Sequence, residues 1–536
     1  VNVNHQASKI AAVLAAAALA LSACSSNESD GGVEKDHFGY QVLSGIRTTN
    51  AGTLEGSTDL VQMLSGRLYP GVYVPGPNGQ MIPNTDLVRT QVIPGDQRKV
   101  VYTLSDEAVF SDGTPVTCSD YLLTFTAGQY PEAFGAHLPL FDDAEALSCT
   151  PGSKEFTLTF KEERGARWRG LFEAGTVLPS HAVAAKLGKS VEALVDDLNS
   201  DDIARLKPIA DVWRRGFNLA EFDPDLQVSF GPFKIEQVGE QGEVRLVANE
   251  FYYGDAPATE EVTVWPGHAD TEQLAQAGAL RIGDLRDAHP AWFNKDAEGN
   301  TLSVDTEVGE LTETLTFPDV GLWAEPFNRQ ALSRCVDPRA VAAASSKASG
   351  VEVPAVPLHV VRHTDPLAQR LNHTAEQNMD VNIEAASAMA GTQLRVGYAH
   401  PNARMAAMVE SMRRTCEPAG IEIIDVTEGG KTLADLPRSV VNEWGVEEWT
   451  EGGADAILHA VDPMHEYPAA DNRAEDLGAL RAQEKFLWTE LPSIPLAAQP
   501  RTFAIDDSVR NVVAYTGPSG IGWNMDRWQL ATDEAK

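Results

Sequence analysis

The best approach to a metal-ligating pattern in the sequence is His359 and His363, four residues apart, with His373 further on. On a helix that spacing would turn two imidazoles to one face. Pro357 and Pro366 bracket the pair and interrupt such a helix, so no metal and no cofactor is expected. Gly429-Gly430-Lys431-Thr432 ends like a phosphate-cradling loop, but Asp425 stands where its first glycine is required. Gly517-Pro518-Ser519-Gly520-Ile521 fails as a nucleophile elbow at its last position. Acidic residues are so numerous that a chance carboxylate pair would say nothing about glycosidase chemistry. No catalytic residue is assigned, and the chain reads as a binding protein rather than an enzyme.

Composition narrows what it binds. Of 536 residues, 77 are Asp or Glu and 42 are Lys or Arg, a formal charge of −35. Phosphate backbones and anionic lipid surfaces both call for basic partners, so neither nucleic acid nor electrostatic membrane docking is expected. With 43% apolar and 22% charged residues the chain is a globular protein, and its length suffices for two large lobes. Five cysteines without a Cys-x-x-Cys exclude a zinc ribbon or finger.

The N-terminal residues carry an address. Lys9 precedes an apolar run, Ile10 to Leu21, that is too short for a membrane span and has the length of a signal-peptide core. It leads into Leu21-Ser22-Ala23-Cys24 and then a polar stretch through Asp36. This resembles the bacterial lipobox. The implication is removal of residues 1–23, a lipid on Cys24, and a flexible tether over 24–35 that holds the protein on the outer face of the cell membrane. Setting Cys24 aside leaves Cys118, Cys149, Cys335 and Cys416. An even number in an exported protein suggests two disulfides, with three connectivities open.

The remaining chain alternates short strands and helices. Strand-like runs occur at Tyr40–Ile46, Val88–Ile93, Val100–Leu104, Phe156–Phe160, Glu243–Ala248, Glu261–Val264, Thr392–Tyr398 and Ile421–Val426. Helical periodicity is expected at Asp59–Leu68, Cys118–Ala127, Ser180–Leu198, Ala269–Ala279, Pro326–Ala344, Met405–Glu417 and Arg473–Leu487. Mixed alternation of this kind indicates an α/β chain.

Six blocks in order make the reading specific. The first runs from Gln62-Met63-Leu64-Ser65-Gly66-Arg67-Leu68-Tyr69 through Val101-Tyr102-Thr103-Leu104 to Phe110-Ser111-Asp112-Gly113-Thr114-Pro115. Next come Val177-Leu178-Pro179-Ser180-His181, Gly231-Pro232-Phe233-Lys234-Ile235, and Ala248-Asn249-Glu250-Phe251-Tyr252-Tyr253-Gly254. Pro326-Phe327-Asn328-Arg329-Gln330-Ala331-Leu332 with Cys335-Val336-Asp337-Pro338-Arg339, and Leu491-Pro492-Ser493-Ile494-Pro495-Leu496, complete the series. Together they resemble the family 5 extracytoplasmic solute-binding proteins, the peptide-binding components of ABC importers.

That resemblance implies two α/β lobes of the periplasmic-binding-protein type joined by a hinge. Lobe one would take residues 36–266 with 497–536 returning to it, and lobe two 267–496. A peptide or other small solute would be enclosed between them by a monomer that partners an ABC permease in the cytoplasmic membrane. Lobes that move apart disfavour a covalent clamp between them, so the local pairings Cys118–Cys149 and Cys335–Cys416 are expected. The family's acidic residue for the peptide amine matches Asp462, within Asp455–Pro468. Trp265, Trp292, Trp323, Trp444, Trp449 and Trp523 could line the cleft for side chains or sugar rings, but most of them are expected in the core and the sequence does not rank them. A lipoprotein that keeps this fold but serves as a scaffold or regulator in cell-envelope glycolipid assembly is the alternative. It is motivated by the altered Asp462 segment and the shortened Arg329 helix.

Overall fold

Ten short runs rich in β-branched and apolar residues form one mixed sheet. In chain order they are β1 (Gly39–Gln41), β2 (Phe233–Val238), β3 (Val244–Ala248), β4 (Glu261–Trp265), β5 (Leu280–Leu285), β6 (Leu302–Thr316), β7 (Gln393–Gly397), β8 (Glu422–Asp425), β9 (Ala456–Val461) and β10 (Ser493–Asp506). Across the sheet the order is β8-β7-β9-β6-β10-β5-β1-β4-β3-β2. The computed structural model describes residues 37–531 apart from 96, 443, 445 and 470–475. Cys24, the expected signal peptide and the tether lie outside the described residues.

Strands β6 and β10 join two halves of the molecule. They are 15 and 14 residues long and pair antiparallel along their length. Residues 302–308 of β6 face 500–506 of β10 on the side where β5 and β1 continue the sheet. Residues 312–316 face 493–498 on the side where β9 and β7 continue it. The register slips between Val308 and Thr312, so the crossing point is Gly309–Leu311. At Gly309 a Cβ would stand 2.7 Å from the Gln499 carbonyl oxygen, and glycine lets the two strands approach. Burial along β6 changes there too: half-buried and exposed residues alternate up to Val308, and every residue from Gly309 to Leu315 is buried. One face of the sheet is covered before the crossing and both after it.

Each half has its own core. The first is built around aromatic rings, among them Tyr102 stacked on Phe156 with centroids 4.6 Å apart. A four-stranded antiparallel sheet (Val88–Ile93, Lys99–Leu104, Ala144–Ser148, Glu155–Phe160) packs with helix Cys118–Gln129, whose residues are buried except at its last position. Asp120 starts that helix, accepting from Thr117 N at 2.8 Å and from Ser180 N at 2.8 Å. The second core collects Leu315, Leu394, Val396, Met408, Leu458 and Leu496. Cys118 is bonded to Cys149 with Cα atoms 5.6 Å apart, and Cys335 to Cys416 at 4.7 Å. The loops they close would contribute roughly 3.7 and 4.5 kcal/mol on a chain-entropy argument. Neither bond joins one core to the other.

Several helices differ from the sequence expectation. Asp59–Leu68 holds a single turn, Gln62–Ser65, parted by Leu60 at φ 52° from a short helix Leu54–Thr58 that precedes the expected segment. Ser180–Leu198 divides at Gly188, whose φ is 66°, into Ser180–Lys186 and Val191–Leu198. Pro326–Ala344 divides before Pro338. Helix Ile203–Arg215, with Pro208 inside it, has no counterpart among the expected helices. Burial of Leu206, Ile209, Ala210 and Trp213 along one face outweighs the proline.

Candidate ligand-binding cleft

Three cavities lie in a row between the two halves. The cavity at the Asp462 end of the row, termed the outer one although Arg362 beside it reaches Glu310 at the strand crossing, is about 80 Å³ and is bounded by Leu60, His137 and Glu173 on one side and Asp462, His465 and Glu466 on the other. The middle one, about 60 Å³, shares Leu60 and Ala460 with it. The cavity at the other end, termed hinge-side because Gln499 lines it, is about 300 Å³ and shares Leu43, Arg286, Asn402, Arg404 and Gln499 with the middle one.

At the outer end most charged groups are paired with one another, although Glu310 Oε1 and Arg167 Nε are buried without a hydrogen-bond partner. Asp462 follows β9 and caps the short helix Pro463–Glu466, its Oδ1 accepting from Met464 N at 3.0 Å. Arg362 Nε donates to the same Oδ1 at 2.9 Å, and its Nη2 donates to Oδ2. Burial raises the Asp462 pKa, but Arg362 and His465 outweigh it and hold the carboxyl well below its usual range. Arg362 Nη1 lies 3.6 Å from Glu310 at the strand crossing.

Two histidines span the gap beside it: His137 Nε2 is 2.9 Å from Glu466 Oε2, and His465 Nδ1 is 3.0 Å from Glu173 Oε1. Burial lowers both histidine pKa values, but the facing carboxylates more than offset it and the net shift is upward. Arg167, 7% exposed, reaches from the first half to the Pro463 carbonyl at 2.9 Å and also donates to the Tyr467 and Val360 carbonyls.

The middle and hinge-side cavities are less complete. Asp59 accepts from Gly45 N at 2.9 and 3.0 Å and meets His400 Nε2 from the other half. A Cβ on Gly45 would come within 2.6 Å of His400 Cε1, so this approach needs the glycine. Arg286 donates from Nε to the Leu43 carbonyl at 2.9 Å, while its Nη2 is shielded from solvent without a partner. Gln499 Oε1 and His459 Nδ1 are likewise buried and unpartnered. His459 Nε2 is engaged with Thr316 Oγ1 at 2.9 Å, and burial pushes the ring's pKa down to about 4, leaving it neutral.

The sequence model for bacterial extracellular solute-binding proteins, family 5 Middle, matches residues 83–394. The chain belongs to that family. An uncharacterized lipoprotein of Mycobacterium tuberculosis strain H37Rv is 29% identical over 552 residues, spanning 96% of each chain. Among solved structures, the oligopeptide-binding protein AppA from Bacillus subtilis, in complex with a nonapeptide, superposes with a TM-score of 0.64 at 15% identity, covering 93% of this chain and 100% of its own. The binding protein AgaA from A. tumefaciens R10, in complex with agropinic acid, gives 0.65 at 15% identity, covering 92% and 99%. The fold is thus the two-lobed family 5 architecture, with the cleft between lobes that meet at β6 and β10.

Within that family 5 frame, the residues singled out from sequence fall in different places. Asp462 lines the outer cavity, but both of its oxygens are taken by Arg362. His359 is buried against Glu484, Nδ1 to Oε1 at 2.8 Å, and His363 Nε2 bonds the Gly309 carbonyl at 2.7 Å. Neither residue lies in a helix, and no group of three potential ligands is placed to hold a metal among the described residues. None of the six tryptophans lines the three cavities. Trp265 and Trp323 are buried in the lobes, and Trp444 and Trp449 are exposed. Sequence reasoning missed Arg286, His400, Gln499, His137 and Arg167. No local motif marks them, because strands and loops far apart in the chain bring them together.

Proposed function

We propose that the protein is a lipid-anchored extracytoplasmic receptor that closes its two lobes on a compact solute and presents it to an ABC permease. Closure of this kind works because contacts from both lobes exist only in the closed form, so the solute shifts the equilibrium towards it. The observation that carries the size limit is the cleft. Its largest cavity is about 300 Å³, at the lower end of the roughly 300–1,000 Å³ of small-molecule sites. That suits an amino-acid-sized solute or a very short peptide better than an extended oligopeptide. Solved fold neighbours named for a nonapeptide and for agropinic acid give precedent for both kinds of cargo on this architecture.

On this reading the protein is a monomer that captures rather than transforms its ligand, and Cys24 carries the lipid. The hinge is Gly309–Leu311 with Gln499, which would place residues 37–308 and 499–531 in the first lobe and 312–498 in the second. Asp462 serves the ligand indirectly, by fixing Arg362 and the helix start at the outer rim. Native mass spectrometry of the mature chain from its own host tests the reading. Adducts no heavier than a tripeptide are expected, and oligopeptide or hexose-spaced adducts would overturn the size limit. Cys24→Ala should release the protein from membranes, and persistent attachment would remove the lipid from Cys24.

A second reading, a scaffold in cell-envelope glycolipid assembly, draws on the outer rim. There Arg167, His137–Glu466 and His465–Glu173 occupy the space across which a ligand would lie. Protein that carries no adduct from its host, and does not respond to added peptides or small acids, would favour it.

A further inference from the structure

Among the described residues, most arginines withdrawn from water meet a carboxylate or two or more carbonyls, whereas half-buried Arg286 and Arg438 each donate to a single carbonyl. Arg501 pairs with Asp284, Arg404 with Glu313 and Arg362 with Asp462, and Arg167 lies among three carbonyls. Arg286 donates only to the Leu43 carbonyl, its Nη2 is shielded and bare, and no carboxylate lies within ion-pair distance of it among the described residues. Asp59, the carboxylate whose field it feels, is engaged by Gly45 N and His400. Burial lowers the Arg286 pKa to about 10, as it does that of Arg167.

The surroundings point the same way. Arg286 and Gln499 line both the middle and the hinge-side cavities, and His459 lines the middle one. Gln499 is 6% exposed and His459 3%, yet Gln499 Oε1 and His459 Nδ1 have no partner. A buried polar atom left bare destabilises the fold, and a charged one more so. Three such atoms around adjoining cavities at a closing cleft are arranged for something that supplies both an anion and hydrogen-bonding groups. The guanidinium is a planar donor fork suited to a two-oxygen anion, and a cavity of about 300 Å³ limits the body attached to it.

We propose that the hinge-side part of the cleft binds a compact organic acid, its carboxylate on Arg286 and its polar body against Gln499. This rests on the receptor reading and narrows it to a ligand class. It also moves the charge-recognising residue away from Asp462, since the answering group is a cation of the first lobe.

The experiment compares the wild-type chain with Arg286→Gln and Arg286→Lys, each purified from the native host. Native mass spectrometry detects adducts, and denaturation releases them for analysis in negative- and positive-ion modes. Titrations with acetate, succinate and citrate, followed by melting temperature, use the same preparations. The expected result is a carboxylic acid of a few carbons on the wild type, depleted at least tenfold in Arg286→Gln and partly retained in Arg286→Lys. Should Arg286→Gln fail to fold, Arg286→Lys carries the test: it keeps the charge, loses the fork, and should bind measurably less. An adduct without a carboxylate, or one retained undiminished in both variants, overturns the acid proposal and leaves the receptor reading standing. A wild-type chain with no adduct and no thermal response to the three acids overturns both.

Discussion

The two ends of the cleft treat buried charge in opposite ways. At the outer rim Asp462, Arg362, Glu310, His465, Glu173, His137 and Glu466 form a nearly closed set of partners running from one lobe to the other. Near the hinge Arg286 faces a larger cavity with a bare nitrogen, beside the unpartnered Gln499 and His459. A self-satisfied cluster holds structure together, whereas an unsatisfied one is a place where the fold tolerates instability for binding. The residue that family resemblance selects for ligand charge, Asp462, sits in the first kind of environment. The residue with an unanswered charge sits in the second.

This contrast makes its largest prediction at Asp462. Asp462→Ala would strand the Arg362 guanidinium in a site where only Glu310, 3.6 Å away, remains to answer it. Removing one member of a buried pair costs about 3–5 kcal/mol, and Glu310 should bring the loss towards the lower figure. Urea unfolding of the ligand-free chain would measure it. A loss below about 1 kcal/mol would mean the rim is not self-satisfied, and Asp462 would return as a candidate for direct ligand contact. Next in size is Arg167→Met, which leaves the carbonyls of Val360, Pro463 and Tyr467 without their shared donor. About 2 kcal/mol of stability should go, together with a larger radius of gyration in solution scattering as the lobes part. Unchanged scattering would show that the rim does not hold the lobes closed.

The rim also predicts a graded dependence on pH. His137 faces Glu466, Glu173 and Asp319, while His465 faces Glu173 and Asp462 with Arg362 opposing them. Both pKa values rise above the ordinary 6.5 on closure, so their contribution is fully present below that value and fades as pH climbs through the raised ones. Between about pH 6.5 and 8, then, the closed form should become more stable as pH falls. His400 has the opposite sign, its pKa lowered by burial and by Arg286 and Arg47 against the pull of Asp59. Its opposition starts below about 6.5 and should flatten the curve there. Melting temperature across this range, compared with a His137→Gln, His465→Gln double variant, checks the sign. An unchanged slope in the variant would remove the two histidines from the latch.

The family and its lobes were legible in the sequence because they are written locally: the Phe110–Pro115 turn, the Asp120 helix start, and strands bounded by turn residues. The sequence's four downstream cysteines left three pairings open, and only the two-lobe expectation chose between them. The cleft was far less legible. Asp462 could be named because it lies in a recognisable segment, but Arg362, which occupies it, comes from a point 100 residues earlier. Arg286 and Gln499 line the same cavities only because β5 and β10 are neighbours in the sheet. The tryptophans could not be ranked for a related reason, since a tryptophan's value to a core and to a cleft cannot be told apart until packing is known.

The smallest predicted effect is also the sharpest discriminator between the two ends. Replacing Arg286 by Met removes a cation that the ligand-free protein does not compensate and gives up one hydrogen bond, to the Leu43 carbonyl. A lost bond of that kind is worth about 1 kcal/mol, while relief from burying an unanswered charge works in the opposite direction. Stability in the absence of ligand should therefore stay within about 0.5 kcal/mol of the wild type or rise slightly. Asp462→Ala, at the other end of the same cleft, should lose several times that amount. Paired urea titrations of the two variants place them on one scale. If Arg286→Met proved as damaging as Asp462→Ala, the guanidinium would have to be fastening the lobes rather than awaiting an anion, and the distinction between rim and hinge would collapse.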